Sequence, residues 1–148
     1  MKKIKITILA LLGIFAALQV FQIDKTNPPI VAEMDFLQVT QTPPAIATIL
    51  KNTCYDCHSQ ETFYPWYSYT NPLGWWIRHN VNEGREDLNF STWGYLSQEE
   101  QENLVTEAIK EIESNKMPLK SYTFAHSQAK LSSADKAQLL AWFRTLID

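Results

Sequence analysis

The chain of 148 residues contains only two cysteines, and they stand three positions apart in the pentapeptide Cys54-Tyr55-Asp56-Cys57-His58. Two thiols at this C-x-x-C-H spacing are typical of covalent haem attachment. Each sulfur adds to one vinyl group of the porphyrin, and the adjacent histidine ligates the iron. The motif therefore predicts a chain that folds around one covalent haem c, held by Cys54 and Cys57 with His58 as an iron ligand.

Two other uses of a cysteine pair remain open at this point. A thioredoxin-like redox pair requires a βαβ context, and no segment of the chain alternates convincingly as a strand. A zinc site requires two further nitrogen or sulfur ligands, which His79 and His126 could supply.

A six-coordinate haem needs a second axial ligand, commonly methionine or histidine in electron carriers. Met117 is the one methionine that follows the cysteine motif, and Pro118 after it predicts a helix end and a stiff loop. The alternatives are that Met117 only fills the core, or that a histidine ligates instead. His79 shares a predicted helical face with Trp75 and Trp76, and His126 lies further along the chain.

The N-terminus combines Lys2, Lys3 and Lys5 with an apolar run from Ile4 to Phe21. This pattern is typical of a signal peptide or a membrane anchor. Because bulky residues follow the run where a cleavage site would need small ones, residues 1–23 are predicted to be an uncleaved membrane helix. Basic residues stay on the cytoplasmic side, so the prediction places the protein on the inner membrane, facing the periplasm. The net charge of −3 gives no basic footprint for nucleic acid.

The remaining chain predicts an all-α fold with long irregular connections. Residues 24–42 contain Pro28-Pro29 and few periodic apolar positions, which indicates a tether. Residues 43–148 are predicted to form one haem-binding domain. Its helices are predicted to start at Pro43-Pro44, at Asn71-Pro72, at Ser97 with Glu100 as a capping box, and at Ser132 or Ser133.

Eleven of the 18 aromatic residues fall between Tyr55 and Tyr95. Large flat side chains fill the volume around a porphyrin and exclude water from it, although an aromatic core with no such role has the same composition. Arg78 and Arg85 lie in the same stretch. Either could pair with a haem propionate, or both could be solvated surface charges.

Five segments together resemble the small haem-binding domain family of bacterial c-type cytochrome-like proteins. They are CYDCHS, YPWYSYTNPLGWW, HNVNEGREDLNFSTW, KMPLKSY and HSQAKLS. The resemblance covers roughly residues 35–148 and extends more distantly to class I cytochrome c. It implies a cytochrome c-like helical domain with covalent haem on Cys54 and Cys57, His58 as proximal ligand and Met117 as distal ligand. One position departs from the family pattern, because Asn115 stands where glycine is frequent.

These features predict a membrane-anchored periplasmic electron carrier rather than an enzyme, with an unidentified redox protein as its partner. Methionine ligation would raise the reduction potential relative to two histidines. A second hypothesis is a peroxidase-like haem enzyme or gas sensor with an open or labile sixth site, where His79 acts on protons. A third is a haem-carrying module within a larger oxidoreductase complex.

Overall fold

The computed structural model describes residues 1–147, and all regular structure in this range is helical. The predicted all-α fold is thereby confirmed. Four short 3₁₀ helices lie at Ala32–Met34, Trp66–Tyr69, Phe90–Tyr95 and Ser127–Ala129. The α-helices are α1 (Lys2–Leu18), α2 (Phe36–Val39), α3 (Pro44–Thr53), α4 (Tyr55–His58), α5 (Leu73–Asp87), α6 (Gln98–Glu113), α7 (Lys120–Ala125) and α8 (Ser133–Arg144).

One hydrophobic core joins α2, α3, α6, α8 and the 3₁₀ helix at Phe90–Tyr95. Phe36 is fully buried at its centre, with edge-on contacts to Trp93 and Trp142 at centroid distances of 4.7 and 5.7 Å. Such edge-to-face pairs are favourable beyond the area that they bury. The buried members are Phe36, Ile46, Leu50, Tyr55, Phe90, Trp93, Val105, Ile112, Leu139, Leu140 and Phe143.

Two helices begin with the side-chain caps that the sequence predicts. Ser97 and Glu100 form a capping box at the start of α6. Ser132, rather than Ser133, caps α8 in a second box that Asp135 completes. Each box gives otherwise unpaired backbone N–H groups a partner, which fixes where the helix starts.

The prediction of an N-terminal membrane helix is wrong. Helix α1 contains 17 residues and ends at Leu18, although the apolar run continues to Phe21. At about 1.5 Å per residue it is about 25 Å long, whereas a bilayer core is about 30 Å thick. Among residues 1–147, no helix is both long and apolar enough to cross a membrane.

The end of the apolar run is instead bonded to the start of α5. Gln19 donates a hydrogen bond to the carbonyl oxygen of Asn71 at 3.0 Å and accepts one from its backbone N–H at 2.9 Å. The carbonyl oxygen of Phe21 accepts bonds from the Asn71 amide at 2.9 Å and from the Trp75 indole at 2.8 Å. Asn71 therefore holds the N-terminal segment, while Pro72 takes the N-cap position of α5.

The segment predicted to be a tether contains one buried residue near its C-terminal end. Phe36 has no exposed surface, and Asp35 caps α2 by accepting a bond from the Leu37 backbone N–H. Periodicity alone misses this contribution because α2 is only four residues long. The boundaries 1–23, 24–42 and 43–148 stay a prediction.

Candidate cofactor site

The two cysteines and His58 are brought onto one side of a single helical turn. Cys54 ends α3 and caps α4, and its carbonyl oxygen accepts bonds from the backbone N–H groups of Cys57 at 3.2 Å and His58 at 2.9 Å. Residues three and four apart on a helix are neighbours on its surface. Both thiols are free and half-buried, so the turn presents two sulfurs and one imidazole together.

The imidazole of His58 is oriented by the backbone at the end of α5. Its Nδ1 atom lies 2.8 Å from the carbonyl oxygen of Gly84 and 3.1 Å from that of Leu88. A carbonyl oxygen only accepts, so Nδ1 carries the proton and Nε2 keeps its lone pair. Burial lowers the pKa of His58, which favours the neutral ring. A neutral imidazole whose other nitrogen is hydrogen-bonded is the form that ligates metals.

Tyr55 anchors the same turn to the core. Its ring stacks on Phe90 at 5.2 Å between centroids, and its hydroxyl donates to Asp35 Oδ1 at 2.9 Å. The Ser59 hydroxyl donates to the Tyr55 carbonyl oxygen at 2.7 Å. The contacts of Tyr55 with Phe90 and Asp35 thus hold α4 against the core.

Gly84 allows α5 to pack directly against the motif. A Cβ atom at this position would lie 2.9 Å from the Cys57 carbonyl oxygen and 3.1 Å from the Cys57 Cβ. Any side chain would have to move one of the two helices. Helix α5 continues past Gly84 to Asp87, so Gly84 does not end the helix and its role is close packing.

Two cavities meet beside the motif, and His58 and Met117 line both of them. The larger, of about 380 Å³, also contains Cys54. The smaller, of about 250 Å³, also contains Cys57. The larger volume alone falls in the range of roughly 300 to 1,000 Å³ that cofactor pockets occupy. The four predicted site residues therefore line two adjoining cavities, with one thiol in the wall of each.

Met117 lines both cavities from a turn at the end of α6. Its backbone N–H donates to the Glu111 carbonyl oxygen at 3.1 Å, and its side chain packs against the core. Asn115 opens the turn with a φ of 57°. This left-handed conformation suits glycine, and asparagine tolerates it better than most residues. The departure from the family pattern at Asn115 therefore leaves the turn intact.

The two rival histidines occupy different positions. The side chain of His79 is 66% exposed, lies 4.0 Å from Glu83 and lines only the smaller cavity. His126 lines neither of the two cavities beside the motif, and its Nε2 is bonded to the Tyr67 hydroxyl at 3.0 Å. Within residues 1–147, no three His, Cys, Asp or Glu side chains are grouped as a metal site would need.

Burial favours the protonated form of both thiols. Burial raises the pKa of Cys54 to about 12 and that of Cys57 to about 11. Zinc ligation and thiol–disulfide exchange both require a thiolate. The raised pKa values therefore count against the redox pair only, because a bound zinc ion would itself deprotonate its thiol ligands.

The two arginines of the aromatic stretch bond to the protein itself. Arg85 donates to the Ser59 carbonyl oxygen at 2.7 Å, to Asn27 Oδ1 at 2.8 Å and to Thr62 Oγ1 at 2.9 Å. Arg78 donates to the Tyr64 hydroxyl at 3.0 Å. Arg85 therefore connects Ser59 and Thr62, which follow the cysteine motif, to Asn27 in the predicted tether. The sequence does not predict this role.

The helical fold brings two free thiols, an oriented imidazole and a thioether to the walls of two adjoining cavities. This set of groups is typical of a haem-binding protein. The chain matches the haem-binding domain family over residues 13–145 and belongs to that family. The predicted family is thereby confirmed, while the distant relation to cytochrome c stays a prediction. No curated protein and no solved structure matches the chain.

Proposed function

We propose that this haem protein is a periplasmic one-electron carrier with a single haem c. The observation that carries the proposal is the shared cavity wall, because His58 and Met117 border both of the cavities beside the cysteine motif. In this arrangement Cys54 and Cys57 would hold the porphyrin covalently, and His58 and Met117 would supply the nitrogen and the sulfur that ligate its iron. When bound, the group supplies an iron that accepts and returns one electron.

The protein's own contribution is orientation and exclusion of water. The Gly84 and Leu88 carbonyls hold the His58 ring, which keeps Nε2 available to the iron. The walls of the larger cavity are mainly apolar, with Phe90, Leu104 and Ile112 among them. An apolar surrounding disfavours the extra positive charge of the ferric state, so it raises the reduction potential.

The periplasmic location is supported by two features of the sequence. Covalent attachment to C-x-x-C-H takes place outside the cytoplasm, and the lysine-flanked apolar N-terminus is typical of exported chains. Cell fractionation tests this part, because recovery of the haem-loaded protein from the cytoplasm alone would contradict it.

Covalent attachment is tested by denaturing the purified protein and extracting it with acidified organic solvent. We expect the haem to stay with the polypeptide, and mass spectrometry to find one group on the peptide that contains Cys54 and Cys57. The matched variant carries Cys54→Ala and Cys57→Ala, and its haem should be fully extractable. Haem that resists extraction in this variant would refute the covalent arrangement, since the chain has no other thiol.

The second candidate, an enzyme or gas sensor with an open sixth site, has weaker support. A peroxidase-like enzyme would need a proton-transferring side chain in the haem cavity, and the candidate, His79, is largely exposed beside Glu83. An absorption band from sulfur ligation in the oxidised protein would favour the carrier. Ready binding of carbon monoxide by the reduced wild-type protein would favour the open site.

A further inference from the structure

A third cavity, of about 520 Å³, shares Cys57 and Tyr122 with the smaller cavity beside the motif but contains neither His58 nor Met117. We call it the aromatic cavity. Its wall includes Phe63, Trp66, Trp76 and Phe124. The proposed iron ligands His58 and Met117 do not line this cavity, whereas Cys57, which would hold the porphyrin, lies where it borders the smaller cavity.

Three aromatic side chains at this cavity face solvent. Phe63 is 73% exposed, Trp66 is 81% exposed and Phe124 is 91% exposed. One exposed apolar residue is ordinary, but several around a single concavity mark a binding site. Flat aromatic surfaces favour a flat ring as the occupant, by stacked or edge-on contact.

Polar groups of the aromatic cavity are linked in one chain of hydrogen bonds. His126 Nδ1 lies 3.2 Å from the Tyr122 carbonyl oxygen, which only accepts, so Nδ1 carries the proton. Nε2 of the neutral ring is then an acceptor, and the Tyr67 hydroxyl donates to it at 3.0 Å. The Tyr122 hydroxyl in turn donates to Asp56 Oδ2 at 2.6 Å.

This chain of bonds determines what the two tyrosine oxygens can recognise. Both tyrosine hydrogens are already donated inside the protein, so the oxygens of Tyr67 and Tyr122 offer only lone pairs to a ligand. A ligand with a hydroxyl hydrogen satisfies them, whereas a carbonyl or ether oxygen does not. We propose that the aromatic cavity binds a phenol or hydroquinone, with the ring among the aromatic side chains and the hydroxyl donating to Tyr67 or Tyr122.

The test uses 2,3,5,6-tetramethylphenol as the probe and its methyl ether as the matched ligand without a donor. Both are titrated calorimetrically into the full-length protein as purified. One hydrogen bond contributes up to about tenfold in affinity, so we expect the phenol to bind about 3- to 10-fold more tightly than the ether. Equal affinity of the two ligands, or no binding of either, would overturn the proposal.

Variants locate the bound hydroxyl. The single variants are Tyr67→Phe and Tyr122→Phe. In at least one of them, the preference for the phenol over its methyl ether should fall to about onefold. Tyr69→Phe is the control, because Tyr69 is exposed and does not line the aromatic cavity. Covalently bound haem is measured in every variant, so a loss of phenol preference with unchanged haem content separates this site from the haem site. A preference that survives in both cavity variants would place the phenol elsewhere and refute the proposal.

Discussion

The Nδ1 atom of His58 lies 2.8 Å from the carbonyl oxygen of Gly84, the residue whose missing side chain lets α5 contact Cys57. One position on α5 therefore does two things for the site. Its backbone oxygen orients the imidazole, and its lack of a Cβ sets the distance between α5 and the cysteine motif. The two roles are coupled, because a side chain that separates the helices also moves the oxygen away from His58.

We expect Gly84→Ala to destabilise the fold by about 1–3 kcal/mol, the usual cost of overpacking. The added Cβ meets the backbone oxygen of Cys57, which cannot rotate away. Urea unfolding measures the change, and the content of covalently bound haem should fall with it. Gly13→Ala is the control, because nothing lies within 4 Å of a Cβ at this position. Equal stability of Gly84→Ala and wild type would contradict the close packing.

Tyr55→Phe tests whether the core fixes the cysteine motif. The change keeps the stack on Phe90 and removes the hydrogen bond to Asp35, so the free energy of unfolding should fall by about 0.5–1.5 kcal/mol. Tyr95→Phe is the matched control, since Tyr95 is 64% exposed and should tolerate the loss of its hydroxyl. Thermal unfolding of both variants at one protein concentration makes the comparison. Equal losses in the two variants would argue against a specific role for the Asp35 bond.

Arg85→Lys tests the connection between residues 24–42 and the residues that directly follow the cysteine motif. Lysine keeps the charge but cannot reproduce a planar fork that reaches Ser59, Asn27 and Thr62 at once. We expect a loss of about 1–3 kcal/mol and faster proteolysis around residue 27. Arg78→Lys, at a site with one bond to Tyr64, should lose less. Limited proteolysis followed by mass spectrometry would detect the difference, and matching cleavage patterns would count against it.

Asn115 provides a test of backbone conformation at the turn before Met117. Because its φ is 57°, Asn115→Ala should destabilise the protein by about 1 kcal/mol. Asn115→Gly removes that strain but also the exposed bond from Lys136, so its stability should stay within about 0.5 kcal/mol of wild type. Urea unfolding measures the stability of both variants, and Asn115→Ala should be the less stable of the two. Alanine equal to glycine would mean that the turn relaxes to another conformation.

The sequence was sufficient for the features that short-range chemistry determines. The cysteine motif, the capping box at Ser97 and the helix start at Pro44 each follow from a few adjacent residues. The contact of Gly84 with Cys57 and the bond between Tyr67 and His126 join residues far apart in the chain. No local pattern encodes such pairs. The prediction of an N-terminal membrane helix also missed contacts between distant residues. Gln19 and Phe21, at the end of the apolar run, are bonded to Asn71 and Trp75.

The remaining prediction concerns the second axial ligand, for which Met117 and His79 are the candidates. Met117 borders both cavities beside the motif, whereas His79 borders one and is largely exposed. Met117→Leu keeps the volume of the side chain and removes the sulfur, so the protein should keep its fold and its haem. The iron should then bind carbon monoxide or imidazole, and the reduction potential should fall because the loss of the thioether favours the ferric state.

His79→Ala is the matched variant for this measurement. Since the His79 ring is exposed, its removal should change neither ligand binding nor the reduction potential, and should cost little stability. Carbon monoxide titration of both reduced variants, with potentiometry on the same samples, gives the comparison. The reverse result, an opened iron in His79→Ala and no change in Met117→Leu, would mean two histidine ligands. It would require His79 to move inward from the rim of the smaller cavity, and the reduction potential of the wild-type protein would then be lower than methionine ligation predicts.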